Sequence, residues 1–368
     1  MKFDLDHEIS ELLSFAPYGL PTRDHHVKLL PILNGLTEHH YNSCSEYSRI
    51  IDGAHGGFSP AQTIEELPYL PVRLFKELDL MSVSSDEIVK KMNSSGTSGL
   101  NASRIYLDKK TVSIQTKVLS RIVASKIGQK RLPMIILDCE ASISSRTAFS
   151  ARAAGILGFS TFSSSKFYAL DDDMNLRIPE LIEFIKEAST KRFLLFGFTF
   201  IVWEHFVQAL VRADLKLDLS ESILIHGGGW KKIQEQYRVS NLYFKERISH
   251  QTQINEVIDY YGMVEQTGSL YLECIAGNLH SSLYSEVIFR HPNTLLPIEP
   301  GQTGVIQVNS LVGISYPGHV LLTEDLGTFL GDDDCPCGNQ GRYFQINGRV
   351  ESAEIRGCSD TYRVGVNL

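Results

Sequence analysis

Between residues 130 and 262 the chain carries a series of short apolar runs, each long enough for one strand, spaced by stretches of helical pattern. Residues 132–138 are almost continuously apolar, as in a strand buried on both faces of a parallel sheet. Residues 155–162, 192–198, 222–226 and 256–262 read as further strands, and 200–210 as a helix. Strands that alternate with helices predict an α/β core with a largely parallel sheet. Ligands of such sheets occupy the crevice beyond the strand C-termini. Two of those ends are rich in glycine: Gly227, Gly228 and Gly229 after His226, and Gly262 after Tyr261. The first group reads either as a tight strand-to-helix turn or as backbone that lies flat against a base.

Residues 1–90 read as mostly helical with proline breaks, and 107–126 as another helix. The stretch 67–75 holds Pro68 and Pro71, too much proline for a helix interior, and predicts an extended lead-in. After residue 268 the pattern changes to short strand-like runs at 269–273, 286–290, 304–309, 319–323 and 342–346. They predict a smaller, mainly β subdomain.

A second feature is the run Ser94, Ser95, Gly96, Thr97, Ser98, Gly99. Glycines allow a tight turn, successive N–H groups form an anion nest, and hydroxyls add donors. The spacing of a Walker loop is missing, so the run reads equally as a surface loop or as a phosphate cradle. A net charge of −8 with no basic run argues against nucleic-acid binding. The acidic, interrupted start is not a signal peptide, and no apolar run reaches membrane-spanning length. Six cysteines in 368 residues do not form a disulfide scaffold; they read as cytoplasmic thiols.

Four runs follow one another in order: the Ser/Gly run, Tyr261-Gly262-Met263-Val264-Glu265, Leu322-Thr323-Glu324-Asp325-Leu326-Gly327, and Gly348-Arg349 with Ile355-Arg356-Gly357. This series resembles the adenylate-forming enzymes, which activate carboxylic acids with ATP. The closing run Ala353-Glu354-Ile355-Arg356-Gly357-Cys358-Ser359-Asp360-Thr361-Tyr362 resembles the acyl-protein synthetases of the LuxE family. The resemblance implies an adenylate-forming N-terminal domain, a smaller β subdomain and a truncated C-terminal tail in place of a full lobe. In this organisation residues 1–90 are the helical N-terminal region, 91–268 the α/β nucleotide-binding core, 269–347 the β-rich subdomain, and 348–368 the hinge and tail.

The same resemblance implies roles. The Ser/Gly run would hold the ATP phosphates, the Tyr261-Gly262 run would lie near the adenine, and Asp325 would accept from the ribose hydroxyls; Gly227 to Gly229 join the ATP-binding set only on the backbone reading given above, beside the tight-turn alternative. Glu265 would carry Mg²⁺, and Arg349 would stand near the nucleotide. A fatty acid would become acyl-AMP, and its acyl group would pass to Cys358 and then to an acyl reductase. A thiol suits that task, since a free pKa of about 8.5 leaves a usable thiolate fraction. Larger superfamily members carry a lysine on the C-terminal lobe, whereas here eleven residues follow Gly357 and none is lysine. Arg349, Arg356 and Arg363 are the local substitutes. Two rival readings remain open: an acyl-CoA ligase, and a non-catalytic nucleotide-binding subunit of a reductase complex.

Cys274, His280, Cys335 and Cys337 offer three thiols and one imidazole, the donor set of a structural zinc site, or a group of reduced buried thiols. Similar placements occur in phenylacetate-CoA-ligase-like enzymes, which the chain also resembles. Finally, Phe196, Phe198, Phe200, Trp203 and Phe206 crowd one short span around Gly197. They read as plain core, or as a wall for an acyl chain in which Gly197 leaves room beside two rings.

Overall fold

Local signals start the chain as helix. The Asp4 carboxylate accepts from the N–H groups of Asp6 (3.1 Å) and His7 (3.3 Å), capping α1 (Leu5–Leu12). Helix α2 (Thr22–Ser43) buries Leu29, Ile32, Leu33 and Leu36 on one stripe, and α3 (Ser45–His55) stops at Gly56, which adopts φ 75°. The protein is seen here as a computed structural model that describes residues 4–94, 102–143, 151–229 and 239–350. The proline-rich lead-in is extended only as β1 (Leu70–Pro71) before one helical turn, α4 (Leu74–Glu77). Then β2 (Ile88–Asn93) and β3 (Arg104–Asp108) pair as an antiparallel ribbon. Helix α5 (Lys109–Ile127) follows.

The next segment alternates as expected: β4 (Leu132–Ile136), α6 (Ala151–Ser160), β5 (Ser163–Tyr168), α7 (Ile178–Glu187), β6 (Leu194–Phe198). A helical stretch comes next, made of α8 (Thr199–Ile201), a π-helical segment Val202–Val207 and α9 (Gln208–Arg212). Strand β7 (Ile223–Gly227), α10 (Asn241–Thr252) and β8 (Glu256–Tyr261) complete it. The strands lie in the order β5-β4-β6-β7-β8, all parallel. One sequence expectation fails here. Most of 155–162 belongs to α6, and the second strand comes later, as β5. A Cβ on Gly155 would stand 3.2 Å from both the Phe196 and Phe198 rings, so the small residue brings α6 close to β6. That tertiary contact, not a strand, accounts for the glycine.

Beyond this segment the strands are β9 (Tyr271–Glu273), β10 (Leu279–His280), β11 (Ser285–Arg290), β12 (Thr303–Ser310), β13 (Val320–Asp332) and β14 (Arg342–Arg349). They run in the order β11-β12-β13-β14-β10-β9 and pair antiparallel, while β1 adds to β13 in parallel. The chain forms two compact units. One comprises Met1–Ser94, Ser98–Ser125 and Gly262–Glu354; the other comprises Ser95–Thr97, Lys126–Tyr261 and Ile355–Leu368. The N-terminal helices and the β-rich segment therefore share one unit. Among the described residues no helix is long and apolar enough to cross a membrane.

Candidate active site

In the first unit, Glu265 sits in a single 3-10 turn, Val264–Gln266, and is 6% exposed. Its carbonyl accepts from the Tyr316 hydroxyl at 2.6 Å. The neighbouring Gln266 donates from Nε2 to the carbonyls of Gly318 (2.9 Å) and Val308 (3.3 Å). Tyr316 fits because residue 318 is glycine: a Cβ there would fall 2.1 Å from the ring. Burial pushes the Glu265 carboxyl up, against the Ser103 hydroxyl that hydrogen-bonds it and the charges of Lys76 and Arg349.

Asp325 and Arg349 face each other across β13 and β14, and Arg349 Nε donates to Asp325 Oδ1 at 3.1 Å. The register slips between Leu326 and Gly327, and Gly348 opposite adopts φ 135°, so a bulge aims the end of β14. The unit thus gathers three residues singled out in the sequence, Glu265, Asp325 and Arg349, and adds Ser103, Tyr316 and Lys76, which sequence reasoning missed. Ser94 turns inward to the ribbon: its Oγ accepts from the Ser103 N–H at 2.8 Å. Ser95, Gly96, Thr97, Ser98, Gly99 and Cys358, together with Arg356 and Arg363, lie outside the described residues.

The second unit holds the glycines at the end of β7. A Cβ on Gly227 would stand 2.6 Å from the Tyr260 ring, so this glycine makes room for a tyrosine of β8. Tyr261, next along the strand, points to the opposite face and is half-buried. Gly228 and Gly229 adopt φ of 83° and 61°, the left-handed conformation of a tight turn. His226 is buried, and burial, with the Lys245 charge, lowers its pKa to about 3, so the ring is neutral. Thr199 donates to the Gly227 carbonyl (3.1 Å), which leaves its oxygen to accept from His226 Nδ1–H at 3.0 Å. The ring packs on Phe244 with centroids 4.7 Å apart, the setting of a core histidine.

Of the two readings of the aromatics around Gly197, the described side chains fit plain core rather than an acyl wall. Phe196 and Phe206 are fully buried, and Phe159 stacks on Phe196 with centroids at 4.2 Å. A Cβ on Gly197 would meet Val202 at 2.8 Å and Leu137 at 2.9 Å. That glycine opens no space; its neighbours already fill it, and the aromatics are core. A cavity of about 330 Å³ does occur in the first unit, lined by Ile288, Phe289, Phe329, Asp332 and Arg342 among others, and it includes none of the expected site residues.

Cys274, His280, Cys335 and Cys337 come together in the first unit, with ligand atoms all within 4.8 Å of one another. Two turns present them. Gly277 N–H donates to the Cys274 carbonyl (2.9 Å), and Gly338 N–H to that of Cys335 (3.0 Å), with φ of 78° and 80° at the glycines. Cys274 and Cys335 sulfurs lie 3.8 Å apart, and Cys337 Sγ lies 3.3 Å from His280 Nε2. Tetrahedral zinc with Zn–S bonds of about 2.3 Å requires sulfurs about 3.8 Å apart. The Asn278 amide and the Asn339 N–H point at Cys335 and Cys337 sulfurs (3.6 and 3.4 Å), as donors around a thiolate do. Burial leads the causes that push the Cys337 thiol up to about 12, a proton that a cation would displace. The donor set fits zinc.

The sequence profile of the acyl-protein synthetase family LuxE matches residues 8–364. The chain belongs to the LuxE family. LuxE relatives include the long-chain-fatty-acid–luciferin-component ligase of Vibrio harveyi, 21% identical over 89% of this chain and 85% of its own length. The protein of the same description from Aliivibrio fischeri is 22% identical over 87% of this chain and 84% of its own. In fold this LuxE chain is similar to a 2-hydroxyisobutyryl-CoA ligase solved with 2-HIB-AMP and CoA: TM-score 0.71, 16% identity, 92% of this chain and 77% of that one. A further structure of that ligase, in its thioesterification state, gives a TM-score of 0.72. The fold is that of an adenylate-forming ligase.

Proposed function

We propose that this protein is an ATP-dependent acyl-protein synthetase that converts a fatty acid to acyl-AMP and then moves the acyl group to its own Cys358, for delivery to an acyl reductase. The observation that carries the reading is the set Glu265, Asp325 and Arg349, gathered in one unit of a chain that belongs to the LuxE family. A carboxylate oxygen attacks the α-phosphorus of ATP, the bond to the β-phosphate oxygen breaks, and pyrophosphate leaves. The enzyme's task is to align and screen anions. Glu265 offers a hard oxygen for Mg²⁺, which would neutralise phosphate charge. Asp325, held by Arg349, keeps further lone pairs for ribose hydroxyls. The Ser/Gly run would hold phosphates, and Tyr261, Gly262 and the glycines after His226 would border the base. The Cys274, His280, Cys335 and Cys337 cluster would hold a structural zinc.

The test is twofold. Fatty-acid-dependent ATP–pyrophosphate exchange reports adenylation, and radiolabel retained on denatured protein but released by hydroxylamine reports the thioester. Cys358→Ser should leave exchange largely intact and abolish the label. A mutant that labels like wild type sinks the carrier assignment. Label appearing only in free thioester after addition of coenzyme A favours the acyl-CoA ligase instead. Absence of exchange with any fatty acid leaves the non-catalytic subunit.

A further inference from the structure

We infer that Tyr316 is a positioning residue for adenylation: its buried hydroxyl fixes the turn that carries Glu265 and so sets the direction in which that carboxylate meets magnesium and the triphosphate. The inference rests on the adenylating function proposed above.

A three-residue 3-10 turn such as Val264–Gln266 is too short to fix its own orientation. Within it the Gln266 N–H donates to the Met263 carbonyl at 3.2 Å, the long end of the usual range. Shorter bonds from side chains hold it. The Thr267 hydroxyl donates to the Val264 carbonyl (2.8 Å), and the Gln266 amide donates to the Gly318 carbonyl (2.9 Å). The Tyr316 bond, at 2.6 Å, is made to Glu265 itself. A tilt of that peptide swings the Glu265 Cα–Cβ bond and displaces the carboxylate at its end.

Tyr316 is itself rigid. Its ring is fully buried, meets Phe75 edge-on with centroids 6.0 Å apart, and fills the space that Gly318 leaves. The residue before it is bolted on three sides. Ser315 N–H donates to Thr111 Oγ1 (3.0 Å), its hydroxyl donates to the Tyr106 carbonyl (2.8 Å), and its carbonyl accepts from the Ser82 N–H (2.8 Å). From α2, His40 Nε2 donates to the Gly313 carbonyl (3.0 Å) and His39 Nε2 to that of Ile314 (3.1 Å). One segment, 313–319, thus ties the Glu265 turn to β3, which with β2 encloses the Ser/Gly run in sequence. Such rigidity matters for this chemistry. Magnesium demands near-ideal octahedral geometry, and a displacement of its ligand spoils the alignment of the phosphates.

The experiment is a double-mutant cycle in pyrophosphate exchange, with wild type, Tyr316→Phe, Glu265→Gln and the two together. Tyr316→Phe keeps the ring beside Gly318 and loses one hydroxyl, so the chain stays folded, and melting curves check this at the assay temperature. It should slow pyrophosphate exchange by about ten- to a hundredfold, the scale of a misplaced reacting group. It should also raise the magnesium concentration for half-maximal rate and leave that of fatty acid unchanged. In the Glu265→Gln background the same change should cost less than about twofold, because the carboxylate it aims is gone. Protein free of metal and nucleotide gives an independent reading: amide hydrogens at 264–267 should exchange faster in Tyr316→Phe than in wild type. Undiminished pyrophosphate exchange, an equal loss in both backgrounds, or unchanged amide protection overturns the assignment while the functional proposal stands. No pyrophosphate exchange in wild type removes the functional reading and this one together.

Discussion

Glu265 costs stability through its burial, and the proposed function gives that cost a purpose. Its carboxyl is raised by burial, so ionisation is less favourable in the folded chain than in the unfolded one. For an acid raised on folding, linkage makes protonation stabilising: stability rises as pH falls through the window between its raised folded value and 4.5. Glu265→Gln should therefore raise the melting temperature at neutral pH while lowering magnesium-dependent exchange by about 10²-fold. A variant that melts lower and keeps full exchange contradicts both halves. Gly197 makes a second case: with Val202 and Leu137 under 3 Å from a Cβ, Gly197→Leu should destabilise by about 1–3 kcal/mol or prevent folding, as urea denaturation would read. The sequence singled out Glu265, Asp325 and Arg349 because short motifs fix residue type and spacing together. It was silent on Lys76, Ser103 and Tyr316. They meet Glu265 from elements far apart along the chain, and no local period records such a meeting.

At the scale of elements, two clusters hold the β-rich part. The first is the pair of turns bearing Cys274, Cys335 and Cys337, with His280 on β10. Purified under reducing conditions, the protein should hold about one zinc per chain, and chelation should lower its melting temperature. Substoichiometric metal would count against the site. Affinity should fall with acid, because protons compete for thiolates. The second cluster joins α2 to β11: His26 Nε2 and His25 Nδ1 lie 2.7 and 3.6 Å from the fully buried Glu286 carboxylate. Despite burial, Arg342 and the two imidazoles hold Glu286 well below its usual value, and Glu286 raises His26. The signs differ. The Glu286 contribution is present above 4.5 and is lost as pH falls toward its depressed value. The His26 contribution is full below 6.5 and is lost as pH rises through its raised value. Glu286→Gln should cost about 3–5 kcal/mol at neutral pH, less in strong acid; a flat difference across pH would refute the linkage. Patterning along the sequence marks β4, β6 and β7, which are buried throughout, and also β8, although Glu256 and Asp259 interrupt that strand and most of it is half-buried. It mistook α6 for a strand because a run of small apolar residues suits either, and contact with Phe196 and Phe198 decided the matter.

At the scale of the molecule, the adenylate-forming fold was legible from motif order, whereas the sharing of one unit between the chain's beginning and its last strands was not. Composition cannot show that Leu70 aligns with Leu321, or that the Thr22 N–H donates to Asp333 at 3.0 Å. The described strands of the second unit, β4 to β8, all come from the stretch Lys126–Tyr261 and are close in sequence. Short loop closures favour early folding. Deuterium labelling during refolding should protect β4 to β8 before β11 to β14; simultaneous protection would refute that order. The same connectivity bears on how the protein is made. At roughly 5–20 residues per second, a ribosome needs on the order of tens of seconds to go from the end of α2 at Ser43 to the start of β13 at Val320. During that interval the leucine stripe of α2 has been synthesised and its strands have not. Apolar surface exposed for so long is prone to aggregate, so yield should depend more on chaperone supply and growth temperature than on the stability of the finished protein.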